Sequence, residues 1–158
     1  MYERTPTPGE PNKALACYGA VRQDTQERYL FFADGQPNTD NTIRMLERLL
    51  SVARREEKRV LAVIWDRASW HKSKKLKQWS YMYNQVAKQN GDVRLLTCLL
   101  PIKSPWLNPM EPHWLHAKRK VAEFDGELSV KVLKDRLCAD FHVEPASAEL
   151  KLSDGFMH

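Results

Sequence analysis

The chain has 158 residues, 25 Lys and Arg against 20 Asp and Glu, and is 42% hydrophobic and 28% charged. This is the size and composition of one domain with a real core, which excludes wholesale disorder. No apolar run approaches the roughly 20 residues of a membrane-spanning helix, and Cys17, Cys98 and Cys138 lack the CxxC pairing of a disulfide scaffold or zinc knuckle. With Glu3, Arg4 and several prolines at its start, the chain has no apolar core for a secretory signal, so a soluble cytoplasmic protein is expected.

Residues 1–13 are rich in Pro, Thr, Gly and Glu and read as loop. Ala14–Val21 and Arg28–Phe32, joined by the polar Arg22–Glu27, predict a hairpin. Asp34-Gly35-Gln36-Pro37-Asn38 is turn chemistry, after which Thr39 or Asp40 is expected to cap a helix with Ile43, Leu46, Leu50 and Ala53 at helical spacing. Val60–Trp65 is a continuous apolar run and reads as a strand buried on both faces. Lys74–Asn90 predicts a helix that Gly91 ends, and Val93–Leu100 a second buried strand stopped by Pro101. Three prolines exclude long regular structure from Pro101–Pro109, and Pro109 opens the next helix. Ser129 then caps a last helix carrying Leu133, Leu137 and Phe141. The order predicts an α/β layer design with parallel strands buried between helices.

Positive charge is concentrated: residues 54–77 hold nine basic and three acidic groups, and residues 94–120 five and one. Within the first block, Arg54–Arg59 mixes both signs and reads as an ordinary charged helix face. His71–Lys77, with Lys72, Lys74, Lys75 and Lys77 and no acid, reads as a phosphate-binding stretch. Each block flanks a candidate acid. Asp66 follows the apolar strand directly, and ligand groups collect at the carboxyl ends of strands in α/β sheets. Glu111 sits in the first turn of the helix after Pro109, a position that macrodipole complementarity alone would also explain. If the two apolar strands are neighbours, both carboxylates lie at one sheet edge, where hard cations such as magnesium are held by carboxylates and phosphate oxygens. His113 and His116 share a helix face, but no third soft ligand is suitably spaced for zinc. Trp70, Trp106 and Trp114 are candidates to stack on bases, with Trp114 expected rather to anchor the core.

Asp66-Arg67-Ala68-Ser69-Trp70-His71-Lys72-Ser73 resembles the D-N-A-x-x-H-x-S segment of bacterial mariner-like insertion-sequence transposases. The longer Leu100-Pro101-Ile102-Lys103-Ser104-Pro105-Trp106-Leu107-Asn108-Pro109-Met110-Glu111-Pro112-His113-Trp114 resembles their L-P-x-x-S-P-x-L-N-P-[IM]-E-x-x-W segment, and Lys118 matches the basic residue one turn later. The likeness spans residues 14–141, with 142–158 as a C-terminal tail. It implies a DDE superfamily endonuclease domain, an RNase H-like mixed sheet flanked by helices. It further implies cleavage of DNA at transposon ends and strand transfer to a target, with two Mg2+ or Mn2+ ions held by three carboxylates, in a nucleoid-associated bacterial protein. Asp66 matches the second acid and Glu111 the third, both as catalytic metal ligands. His71, Lys72, Lys74, Lys75, Lys77, Lys103, Lys118 and Arg119 are the expected DNA contacts.

The sequence departs from that pattern at Arg67, where Asn is usual, and at Lys103, where Tyr is common. The family's first Asp lies on a strand ahead of Gly19-Ala20-Val21, and the expectation is that this chain begins after it. Asp34 falls two strands away, about 10 Å from the required position at a strand spacing of about 4.8 Å, and Asp24 falls in the hairpin turn. The chain alone is therefore expected to bind metal poorly and not to cut DNA. Two other readings stay open: a non-catalytic nucleic-acid-binding or regulatory remnant, and one half of a split transposase completed by an N-terminal polypeptide or a homodimer.

Overall fold

A computed structural model of the chain describes residues 15–122 and 129–150, so the loop expected at residues 1–13 lies outside the described residues. They form two compact units, one of residues 15–37 and 109–150 and one of residues 38–108. No helix among them is long and apolar enough to cross a membrane. The architecture is mixed α/β, consistent with an RNase H-like fold, and its strands form two separate two-stranded sheets.

In the first unit, β1 (Leu15–Val21) pairs antiparallel with β2 (Arg28–Asp34), Leu15 facing Asp34 and Val21 facing Arg28, as the hairpin pattern predicts. α4 (Glu111–Ala122) and α5 (Val130–Phe141) contribute to the core of the same unit. Ser129 caps α5 as expected, its Oγ accepting from Val132 N–H at 3.2 Å. Met110, Trp114, Leu133, Leu137 and Phe141 bury with Leu15, Cys17, Leu30 and Phe32 in one cluster. Each such large side chain contributes about 1.5–3 kcal/mol by leaving water. Gly19 of β1 packs closely against Met110 and α4: a Cβ there would lie 2.5 Å from Met110 Cε and 2.7 Å from Trp114 Cζ2. The C-terminal tail also takes part, since Phe32 N–H donates to Ala148 at 2.7 Å and Leu150 N–H to Phe32 at 2.9 Å, extending the outer edge of β2.

In the second unit, α1 (Thr39–Arg55) lies against β3 (Val60–Trp65), and α3 (Lys74–Asn90) against β4 (Arg94–Leu99). β3 and β4 are adjacent and parallel, Val60 beside Arg94 and Trp65 beside Leu99. The cap of α1 is Asn38 rather than Thr39 or Asp40: its side chain accepts from Asn41 N–H at 2.8 Å, while Thr39 Oγ1 donates to Ser73 Oγ at 2.8 Å. Ser73 in turn caps α3, and Gly91 ends it in the left-handed conformation at φ 65°. The two strands are not buried on both faces as their composition predicts. Val60, Ala62 and Ile64 are exposed together with their register partners Arg94, Leu96 and Cys98, because the covering helices leave that face of the sheet open. The two edges also differ. Asn84 clips the outer edge of β4, giving and taking 2.8 Å hydrogen bonds with Leu95 O and N–H. β3 pairs with β4 alone among the described residues.

Candidate active site

Asp66 leaves the carboxyl end of β3, followed by the short helix α2 (Ser69–Lys72). Its Oδ1 accepts from Ala68 N–H at 2.9 Å, an Asx turn that reverses the chain after the strand. The same oxygen meets His71 Nδ1 at 2.9 Å, and the ring nitrogen also lies 3.2 Å from the Asp66 carbonyl. The imidazole is fixed by aromatics on two sides. It stacks on Trp65 at 4.3 Å between centroids and 6° between planes, and Trp70 meets it edge-on at 5.9 Å. Arg67, where the resembled pattern has Asn, reaches across to β4 and donates from Nε to Leu100 O at 2.9 Å.

The result is a carboxylate with one committed oxygen and one open one. The Asp66 side chain is 55% exposed, and Oδ2 has no hydrogen-bond partner among the described residues. The His71 hydrogen bond holds its carboxyl below the usual range against a smaller opposing effect of burial, with the Ala68 N–H assisting. Such a group is ionised at neutral pH and presents hard oxygen, the donor type that magnesium and manganese take. No group of three or more His, Cys, Asp and Glu side chains is gathered to hold a metal among the described residues.

Glu111 is the first residue of α4 and half-buried; it belongs to the unit of residues 15–37 and 109–150, while Asp66 belongs to the other. The neighbouring H-x-x-H histidines are each engaged separately. His113 packs beside Phe141 at 6.2 Å, with burial and then Arg28 pushing its pKa down, whereas His116 Nε2 lies 3.3 Å from Asp140. Trp114 is buried against Phe141, Trp70 edges His71, and Trp106 stands 76% exposed. Asp24 is held by Arg22 through bonds of 2.6 and 3.0 Å, and Asp34 is exposed at the end of β2.

Of the expected DNA contacts, Lys72, Lys74, Lys75, Lys77 and Lys103 are exposed in the second unit, and Lys118 and Arg119 on α4 of the first. Lys75 is paired with Asp40 from the start of α1, a partner 35 positions away that the acid-free stretch conceals. His71 is mostly covered, 13% exposed, and directed at Asp66. Sequence reasoning missed a network at the opposite end of β3 and β4. Arg54 Nε donates to both oxygens of Asp92 at 2.9 and 3.0 Å and Nη2 to Tyr83 Oη at 3.0 Å, while Tyr83 donates to Val93 O at 2.6 Å. The only signal for it was a mixed-sign run that reads equally well as a solvated face.

Comparison with known proteins gives a match between residues 3–131 and the family described as DDE superfamily endonuclease. Neither the curated proteins nor the solved structures give a match.

Proposed function

Since the chain belongs to the DDE superfamily endonucleases, transposase-type nucleases acting on DNA with divalent metal ions, we propose that residues 14–141 are the catalytic domain of a transposase that cuts DNA and transfers strands. The observation that carries this reading is the carboxylate of Asp66, fixed through Oδ1 and open at Oδ2 at the end of β3. Asp66 and Glu111 would be the metal ligands, and a bound pair of ions supplies Lewis-acid activation and charge neutralisation at the scissile phosphate. The chain's own residues prepare that site. His71 positions Asp66 and, locked between Trp65 and Trp70, removes the rotamer freedom that ligation would otherwise have to freeze. Lys72, Lys74, Lys77, Lys103, Lys118 and Arg119 offer cations to the DNA backbone without reading sequence.

A site of two carboxylates calls for a third against the charge of two divalent ions. Among the described residues β3 pairs with β4 alone while Asn84 clips the other edge of β4, which favours completion by an added strand that carries an acid. That strand would come from a complementing polypeptide or a second copy. The test is manganese-dependent nicking of supercoiled plasmid by the purified chain, beside Asp66→Ala and Glu111→Ala. The chain alone is expected to be inert, and activity that appears with a strand-bearing polypeptide should vanish in both variants. Nicking by the chain alone that Asp66→Ala abolishes would remove the added strand and keep the Asp66 role. Nicking that survives both substitutions would remove both acids from the site.

A further inference from the structure

At the other end of the β3–β4 pair lies an open groove of about 740 Å³, lined from the ends of α1 and α3 and the starts of β3 and β4. Five cations border it, Arg54, Lys58, Arg59, Lys88 and Arg94, against two carboxylates, Glu57 and Asp92. Asp92 is already neutralised by the two bonds from Arg54, so that pair forms a wall of the groove and not a free charge. Lys58, Arg59, Lys88 and Arg94 are exposed, and none makes a side-chain hydrogen bond or ion pair among the described residues.

Helix polarity does not account for this collection. Cations in a last helical turn complement the macrodipole, which explains Arg54 in α1 and Lys88 in α3. It does not explain Lys58 and Arg59, which lie beyond α1, or Arg94, which opens β4. Arg94 N–H donates to Arg59 O at 2.9 Å, which brings the start of β4 beside the segment that leads into β3, with Val60 the residue in register with Arg94. Exposed cations gathered from separate segments repel one another. A polyanion relieves that repulsion.

We propose that this groove binds the phosphate backbone of duplex DNA, independent of sequence, at a place remote from the bond being cut. The proposal rests on the nuclease reading above for its ligand class and adds a second contact region to it. β3 is six residues long, so the groove lies about 20 Å from Asp66 at about 3.3 Å per residue. That is roughly six base-pair steps at 3.4 Å each along a duplex. The groove therefore holds flanking or second-segment DNA while Asp66 faces the reacting strand.

The experiment is fluorescence anisotropy of a random-sequence duplex with the full chain across a salt series. It compares the wild type, Lys58→Gln/Arg59→Gln/Lys88→Gln/Arg94→Gln, and Lys72→Gln/Lys74→Gln/Lys75→Gln/Lys77→Gln. The groove variant is expected to bind more weakly, with the slope of log K against log salt shallower by about 0.9 for each phosphate it no longer engages. If combining the groove and lysine-stretch substitutions weakens binding no more than the lysine-stretch substitutions alone, the groove is overturned and the nuclease reading stands. A wild type that binds no duplex would overturn both. Glu57→Gln supplies the opposite sign without risk to the fold: removing the remaining free acid should tighten binding about threefold, and unchanged binding would count against the groove. If the groove substitutions weaken the binding of inorganic phosphate but leave duplex binding unchanged, the groove is a small-anion site and the DNA assignment falls.

Discussion

β3, Val-Leu-Ala-Val-Ile-Trp, is apolar at every position, yet its Val60 and Ile64 are 52% and 59% exposed. β1, Leu-Ala-Cys-Tyr-Gly-Ala-Val, holds smaller and more polar residues, yet Leu15 through Tyr18 are all buried. The difference lies in what covers each pair. The hairpin shares its core with α4 and α5, and the tail at Ala148–Leu150 closes the outer edge of β2. The parallel pair has α1 and α3 against it and an open face on the other side. Strand composition sets how much a residue gains from burial, but the covering layer decides whether that gain is realised.

This contrast can be broken most directly by truncating one large side chain in each unit. Phe141→Ala, in the first core at 1% exposure, should cost about 3–5 kcal/mol in urea unfolding. Ile64→Ala, on the open face, should cost about 0.5 kcal/mol or less. Similar costs at the two positions would mean that the β3 face is covered in solution. The second largest effect tests the closeness of β1 to α4. Gly19→Ala places a methyl against the Trp114 ring and should lose about 1–3 kcal/mol through overpacking, with partial recovery when Trp114→Phe is added; a neutral Gly19→Ala would show slack between the strand and the helix.

The smallest effect belongs to Asp92 in the second unit. Burial opposes its ionisation, but the Arg54 hydrogen bonds and the Val93 N–H outweigh burial and hold its carboxyl below the usual range. A depressed folded pKa adds stability that is complete above the unfolded value, about 3.9, and is lost as pH falls through the lower folded value. The stability difference between wild type and Asp92→Asn should therefore be constant above about pH 5 and shrink below about pH 4. With the side chain about a third exposed, that difference should stay under about 1 kcal/mol. A difference that grows on acidification would reverse the sign assigned to the Arg54 pair.

What local sequence determined by itself is what short-range physics dictates. The hairpin, the caps at Ser129 and Gly91 and the place of Asp66 after its strand all follow from patterning and backbone preference within a few residues. Even the misplaced cap of α1 is off by only one or two residues, because Asn38, Thr39 and Asp40 all compete for the same backbone donors. Beyond that range, tertiary structure decided. It set β3 beside β4, brought Asp40 to Lys75 and Asp92 to Arg54, and gathered Arg59, Lys88 and Arg94 from three separate segments around one groove. A charge run carries no record of which distant acid will neutralise it, nor an apolar strand of which helix will cover it. Coulomb and contact energies depend on distance in space, which the order of residues constrains only through the completed fold.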